Sequence, residues 1–146
     1  MKTFKDSVKK HVQDKYASIA GSTNPGSSGC CGDNSAFVSI LDQGKKCGYS
    51  ADQLMDELAG ANLGLGCGNP LSMAELKKGE TVLDLGSGAG FDAFLAAQAV
   101  GKAGRVIGVD MTTEMVQKAR ENAATLGSGN VEFRNGEIED LPVSDG

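Results

Sequence analysis

The run Thr81-Val82-Leu83-Asp84-Leu85-Gly86-Ser87-Gly88-Ala89-Gly90 constrains the fold more than any other stretch of the chain. An aliphatic strand passes without a linker into three glycines spaced two apart, and an Ala-rich helical segment follows over 91–100. Glycine at these positions permits a sharp turn and lets backbone approach a ligand with no Cβ between them. The pattern then repeats. RVIGVD at 105–110 is a second buried strand, and 112–126 is an amphipathic helix with Met115, Val116, Ala119 and Leu126 on its inner side. VEFR at 131–134 is a third strand. The order β-α-β-α-β predicts an α/β fold with a parallel sheet and right-handed crossovers.

Composition narrows the function classes. With 146 residues and 40% hydrophobic content the chain can bury a core, which excludes disorder throughout. Its 21 glycines follow no three-residue period, so a collagen-like structure is excluded. There is no Trp and aromatic content is 5%, so the core is mainly aliphatic. The net charge of −5 argues against a dedicated nucleic-acid binder. Residues 1–29 carry five Lys against two Asp, whereas 80–146 carry five basic against eleven acidic groups. No apolar run reaches the length of a membrane span, and MKTFKDSVKK has no apolar core of a secretion signal. The expected compartment is the cytoplasm, where thiols stay reduced. Cys30, Cys31, Cys47 and Cys67 are therefore candidates for chemistry rather than for cross-links.

The first half of the chain has a different texture. Phe4, Val8, Val12, Tyr16 and Ile19 fall at helical spacing, which predicts an amphipathic helix over 3–20 with His11 beside the stripe. Residues 21–34 form a Gly/Ser/Asn loop that holds Cys30 and Cys31. Ser50 and Gln53 have the spacing of a capping box, opening a short helix with Leu54, Met55 and Leu58 that ends at Gly60. ANLGLGCGNP, carrying Cys67, follows, and 72–78 read as a further turn or two of helix. The expected division is a helical, cysteine-bearing segment over 1–79 and a nucleoside-binding unit over 80–146.

Two carboxylates bracket the glycine turn. Asp84 ends the first strand, where it would repel phosphate and suits a ligand with a positive amino or sulfonium group. Asp110 ends the second strand, 20 residues after Gly90, the place where nucleoside-binding α/β sheets put the acid that accepts ribose hydroxyls. The alternative is a structural turn with Asp110 capping the following helix. A GxGxG turn alone is a weak signal; two flanking acids and two strands favour nucleoside binding.

VLDLGSGAG, VIGVDMTTEMVQKA and NVEFRNGEIEDLP together resemble the class I S-adenosylmethionine-dependent methyltransferases over residues 79–145. The resemblance implies a Rossmann-like fold and S-adenosylmethionine as cofactor. It implies that Gly86, Ser87, Gly88 and Gly90, with Asp84, cradle the methionine part and that Asp110 holds the ribose. Met111 would pack on the adenine and Glu137-Ile138 would flank its edge. Glu137 stands where such enzymes commonly carry Asp.

The cysteines lack the spacing of a zinc site, for there is no CxxC. Soft thiolates suit a soft, three-coordinate centre better. GANLGLGCGNP before the first strand, SSGCCG upstream and the Tyr16-containing opening helix together resemble the arsenite methyltransferase family, and this similarity spans essentially the whole chain. It implies that Cys67 ligates trivalent arsenic beside the cofactor. One of Cys30 and Cys31 would match a second family cysteine, able to pair with the Cys67 equivalent in a disulfide. Cys47 falls where the family motif requires no cysteine and reads as incidental.

The implied reaction is methyl transfer from the sulfonium to arsenic, whose lone pair is the nucleophile, and a thiol reductant of glutathione or thioredoxin type would return arsenic to the trivalent state. Such a reaction belongs to detoxification. The family carries two further arsenic-binding cysteines and four further strands beyond the segment matching 131–145. The chain thus reads as the N-terminal part of a larger enzyme with an incomplete sheet, inactive alone, with its first strand left at an edge open to self-association. Two other readings stand beside this one: a methyltransferase acting on a different small molecule, and a non-catalytic module that binds cofactor or metalloid.

Overall fold

The structure is a computed structural model that describes residues 4–21, 35–55, 58, 61–63, 65 and 68–144. Cys30, Cys31, Cys67 and Gly60, all singled out above, lie outside the described residues. The elements in chain order are α1 (Phe4–Ala20), α2 (Ser35–Lys46), α3 (Ala51–Met55), α4 (Leu71–Ala74), β1 (Thr81–Leu85), α5 (Phe91–Val100), β2 (Arg105–Asp110), α6 (Thr113–Leu126) and β3 (Val131–Asn135). The three strands pair in parallel in the order β1-β2-β3. Register places Val82 beside Val106 and Val106 beside Val131, and one step on it places Asp84 beside Gly108 and Gly108 beside Phe133.

α5 packs on all three strands and α6 on β2 and β3. Between them and the sheet lie Phe94, Ala97, Val100, Val106, Val116, Ala119 and Phe133, all buried. Seven of the ten residues of α5 are buried, so this helix is covered on more than its sheet side. The further cover comes from the first half of the chain, because Tyr49, Leu54, Leu58 and Ala61 belong to the same apolar cluster. Fully burying a side chain of Phe94's or Leu54's size stabilises a fold by roughly 1.5–3 kcal/mol, so this shared core ties the two halves together.

Helix ends follow local chemistry. Ser50 and Gln53 form the expected capping box: the Ser50 amide donates to Gln53 Oε1 at 2.9 Å and the Gln53 amide donates to Ser50 Oγ at 3.2 Å. α6 closes at Gly127, which adopts φ 63° and donates to the carbonyls of Ala123 and Ala124. Asn130 Nδ2 donates to the carbonyls of Ala97 and Gly101 at the end of α5.

Two departures from the sequence reading stand out. α2 lies where the sequence reading places no element, and it carries Gly44 near its end. Gly44 is buried and an added Cβ would collide with Leu54, so the glycine marks a close approach between α2 and α3 rather than a break. On α1 the apolar stripe is only partly covered, with Val8 47% and Tyr16 39% exposed. β1 lies at the sheet edge as expected, and its Leu83 and Leu85 are exposed. Among the described residues no helix is long and apolar enough to cross a membrane.

Candidate cofactor and substrate site

The C-terminal ends of the parallel strands converge on the glycine turn, the position at which open α/β sheets bind ligands. Gly86 and Ser87 both donate their amides to the Val109 carbonyl, at 2.8 and 3.1 Å, which lashes the start of the turn to β2. The Gly90 amide then closes on the Ser87 carbonyl at 2.9 Å, and the Phe94 amide donates to Gly90 to start α5. The glycines divide the work. Gly86 (φ 75°) and Gly88 (φ 52°) face open space, since a Cβ at either would meet nothing within 4 Å. Gly90 (φ 95°) serves packing instead, for a Cβ there would lie 2.6 Å from Phe133 Cζ and 2.8 Å from Phe94 Cε2. Gly108, in mid-strand, likewise leaves room for Phe133 and Ser87 Oγ.

Asp110 holds the turn in place. Its Oδ2 accepts the Gly88 amide at 2.9 Å and its Oδ1 accepts the Thr112 amide at 2.8 Å. One carboxylate thus holds both the turn and the residue that precedes α6, and each oxygen keeps a lone pair for a further donor. Asp84 Oδ2 is buried and has no hydrogen-bond partner among the described residues. Burial, followed by the charges of Asp92 and Asp110, pushes the Asp84 carboxyl up to about 6. Burial also raises Asp92, opposed by its hydrogen bond to Tyr49. A buried carboxylate oxygen lacking a donor, beside a turn with open space over Gly86 and Gly88, fits a ligand that brings a cationic group and would suffer from a phosphate.

Met111, Glu137 and Ile138 gather at the same end of the sheet, just past β2 and β3. The Gly136 amide and Asn135 Nδ2 both donate to the Asp110 carbonyl, at 3.0 and 3.1 Å. Ile138 is 63% exposed, so its apolar surface faces outward. α1 reaches this corner too. Lys9 Nζ pairs with Glu137 at 2.6 Å and Glu139 at 3.1 Å, and Gln13 Nε2 donates to the Met111 carbonyl at 3.4 Å. Ser87 is buried with its Oγ unpartnered among the described residues. Cys47 is half-buried and packs against the apolar core.

Sequence reasoning missed Asp92, Tyr49, Lys9, Gln13 and Asn122, whose Nδ2 donates to the Ala89 carbonyl inside the turn at 3.0 Å. Only Asp92 had a local signal, its place in the first turn of a helix after GxGxG.

Comparison with known proteins agrees with this geometry. Residues 76–146 match the family described as "Methyltransferase domain". The chain is 33% identical to a SAM dependent methyltransferase from Aquifex aeolicus of known structure, over 73% of this chain and 51% of that one, with a TM-score of 0.50. The fold is that of the class I S-adenosylmethionine-dependent methyltransferases. Across 96% of its length the chain is 50% identical to an arsenite methyltransferase of Halobacterium salinarum, covering 37% of that protein. Over 52% of its length it is 49% identical to an arsenite methyltransferase of Aquipseudomonas alcaligenes, covering 22% of that one. The chain is thus similar to arsenite methyltransferases over nearly its whole length. It spans well under half the length of these relatives.

Proposed function

We propose that this chain supplies the cofactor cradle and part of the metalloid site of an enzyme that methylates arsenite. The observation that carries the reading is the buried Asp84 Oδ2, without a donor among the described residues, beside the open glycine turn, in a chain whose similarity to arsenite methyltransferases extends through the Cys67 segment. In this reading residues 80–146 hold the cofactor and residues 1–79 bring the thiols. Gly86, Ser87 and Gly88 admit the methionine part, Gly90 sets the turn, and Asp84 faces its cationic end. Asp110 accepts the ribose hydroxyls, Met111 packs on the adenine, and Glu137 and Ile138 flank its edge.

S-adenosylmethionine supplies an electrophilic methyl on a sulfonium. Cys67, with one of Cys30 and Cys31, would hold the trivalent arsenic, whose lone pair would serve as the nucleophile, while the turn and Asp84 would hold the methyl donor, whose sulfur would keep the bonding pair as the methyl leaves. Holding the reacting atoms in line can lower such a barrier by roughly 7–11 kcal/mol, and the nucleophile carries no proton to remove, so the site needs no general base. Arsenic is oxidised in the step, and a thiol reductant of glutathione or thioredoxin type returns it to the trivalent state in a cytoplasmic, reducing setting. The exposed edge at β1 is offered as a surface for self-association.

Arsenite titration of the wild-type chain and of Cys67→Ser tests the metalloid role. Loss of affinity in the variant is expected; equal affinity removes the arsenic assignment and leaves a methyltransferase of another small molecule. Calorimetry with S-adenosylmethionine tests the cradle, and absence of binding would leave neither catalytic reading standing.

A further inference from the structure

We propose that Tyr49 is a positioning residue that couples the Cys67 segment to the cofactor turn. The inference rests on the reading of Cys67 and of the turn given above. Tyr49 is 6% exposed, and its ring stands edge-on to Phe91 with centroids 5.1 Å apart. Its hydroxyl lies 2.6 Å from the Gly68 carbonyl and 2.6 Å from Asp92 Oδ1, so the phenolic proton sits between two acceptors. Gly68 is the residue bonded to Cys67, and Asp92 is the second residue of α5, two positions after Gly90. One hydroxyl therefore spans the gap between Gly68 and the helix that grows out of the glycine turn.

The surroundings hold Tyr49 where it can do this. Its amide donates to the Gly44 carbonyl at 3.2 Å, Gly48 turns the chain with φ 90°, and the Ser50–Gln53 capping box starts α3 directly afterwards. A second tie joins the same two loops, because Asn69 Nδ2 donates to the Gly48 carbonyl at 3.1 Å. Burial, reinforced by Asp92, keeps the phenol neutral and hence a donor across the working pH range. A tyrosine ring is rigid and has few rotatable bonds, so it fixes the separation of the groups at its tip. Methyl transfer from a turn-bound donor to a Cys67-bound acceptor depends on that separation, and a misplacement of about 1 Å can cost on the order of 100-fold in rate.

The test reads Cys67 directly. The full 146-residue chain is treated with limiting iodoacetamide, with and without S-adenosylmethionine, and labelling of the Cys67 peptide is followed by mass spectrometry. In wild type the cofactor is expected to slow labelling of Cys67. Tyr49→Phe, which removes only the hydroxyl, is expected to bind S-adenosylmethionine within about threefold of wild type and to keep its far-UV spectrum. Its Cys67 is expected to label on the order of tenfold faster, with the effect of cofactor lost. Asp92→Asn, which retains an acceptor, is expected to preserve the coupling, and Asp92→Ala to lose it; this pair decides the matter if Tyr49→Phe does not fold. Unchanged labelling and unchanged cofactor effect in Tyr49→Phe, or in Asp92→Ala, overturn the positioning role and leave the methyltransferase reading untouched. A wild-type chain that binds no S-adenosylmethionine by calorimetry overturns that reading instead, and this inference with it.

Discussion

Gly88 and Asp110 are joined by a hydrogen bond of 2.9 Å from backbone amide to carboxylate, so the acid that ends β2 also shapes the turn that leaves β1. The same carboxylate takes the Thr112 amide, which orients the start of α6. Ligand recognition and turn geometry therefore share one side chain. Asp110→Ala is expected to lower S-adenosylmethionine affinity at least about tenfold and to destabilise the fold by about 1–3 kcal/mol, since two amides lose a charged acceptor. Asp110→Asn keeps one acceptor oxygen and should recover part of the stability with little of the affinity. Calorimetry and urea unfolding separate the two effects.

Gly88 and Gly90 should respond differently to the same substitution. Gly90→Ala sets a methyl against Phe133 and Phe94 at φ 95° and is expected to cost roughly 2–4 kcal/mol. Gly88→Ala meets nothing within 4 Å and sits at φ 52°, so its cost should stay near 1 kcal/mol. Its methyl projects into the open space over the turn, so cofactor affinity rather than stability should fall. A melting curve and a binding isotherm for each variant check this, and equal destabilisation by both would refute the division of work.

Asp84 makes both stability and binding depend on pH. Its carboxyl sits at about 6 in the fold against an ordinary 3.8, so between these values the folded chain holds a proton that the unfolded chain has released. Stability from this group accordingly falls as pH rises from about 4 to about 6 and is level above that. Binding of a cationic ligand runs the other way, because it requires the ionised form. S-adenosylmethionine affinity should weaken as pH drops below about 6. Asp84→Asn should flatten both profiles, bind more weakly at pH 7 and unfold no more easily than wild type there.

Lys9 ties α1 to Glu137 and Glu139 across a solvent-exposed corner. Lys9→Ala is expected to weaken cofactor binding by at most about fivefold, and salt should reduce the difference, as for other exposed ion pairs. Hydrogen exchange at α1 should quicken in the same variant. Unchanged exchange would mean that apolar packing on α6 alone seats the helix.

Much of this architecture was legible before any coordinates. The strands TVLDL, RVIGVD and VEFR, the helices between them, and the Ser50–Gln53 cap rest on interactions between residues a few positions apart, and local pattern reports those faithfully. α2 holds Gly44, a poor helix former, and the reason for a glycine there is Leu54, ten residues on and in another helix. Tyr49 escaped for the same kind of reason. Its partners Gly68 and Asp92 lie 19 and 43 residues away, and nothing in GYS announces them.

The sequence by itself determined the class of fold and the identities of the groups at the strand ends, because strand periodicity, glycine placement and the terminal acids are local properties. Only the tertiary structure decided how those groups share the work. Gly90 packs under Phe133 while Gly86 and Gly88 stay open, Asp110 holds the turn that leaves the neighbouring strand, and Asp84 Oδ2 is buried without a donor among the described residues. Each depends on how closely distant backbones approach and on how much water is excluded between them, and those quantities exist only once the chain has folded.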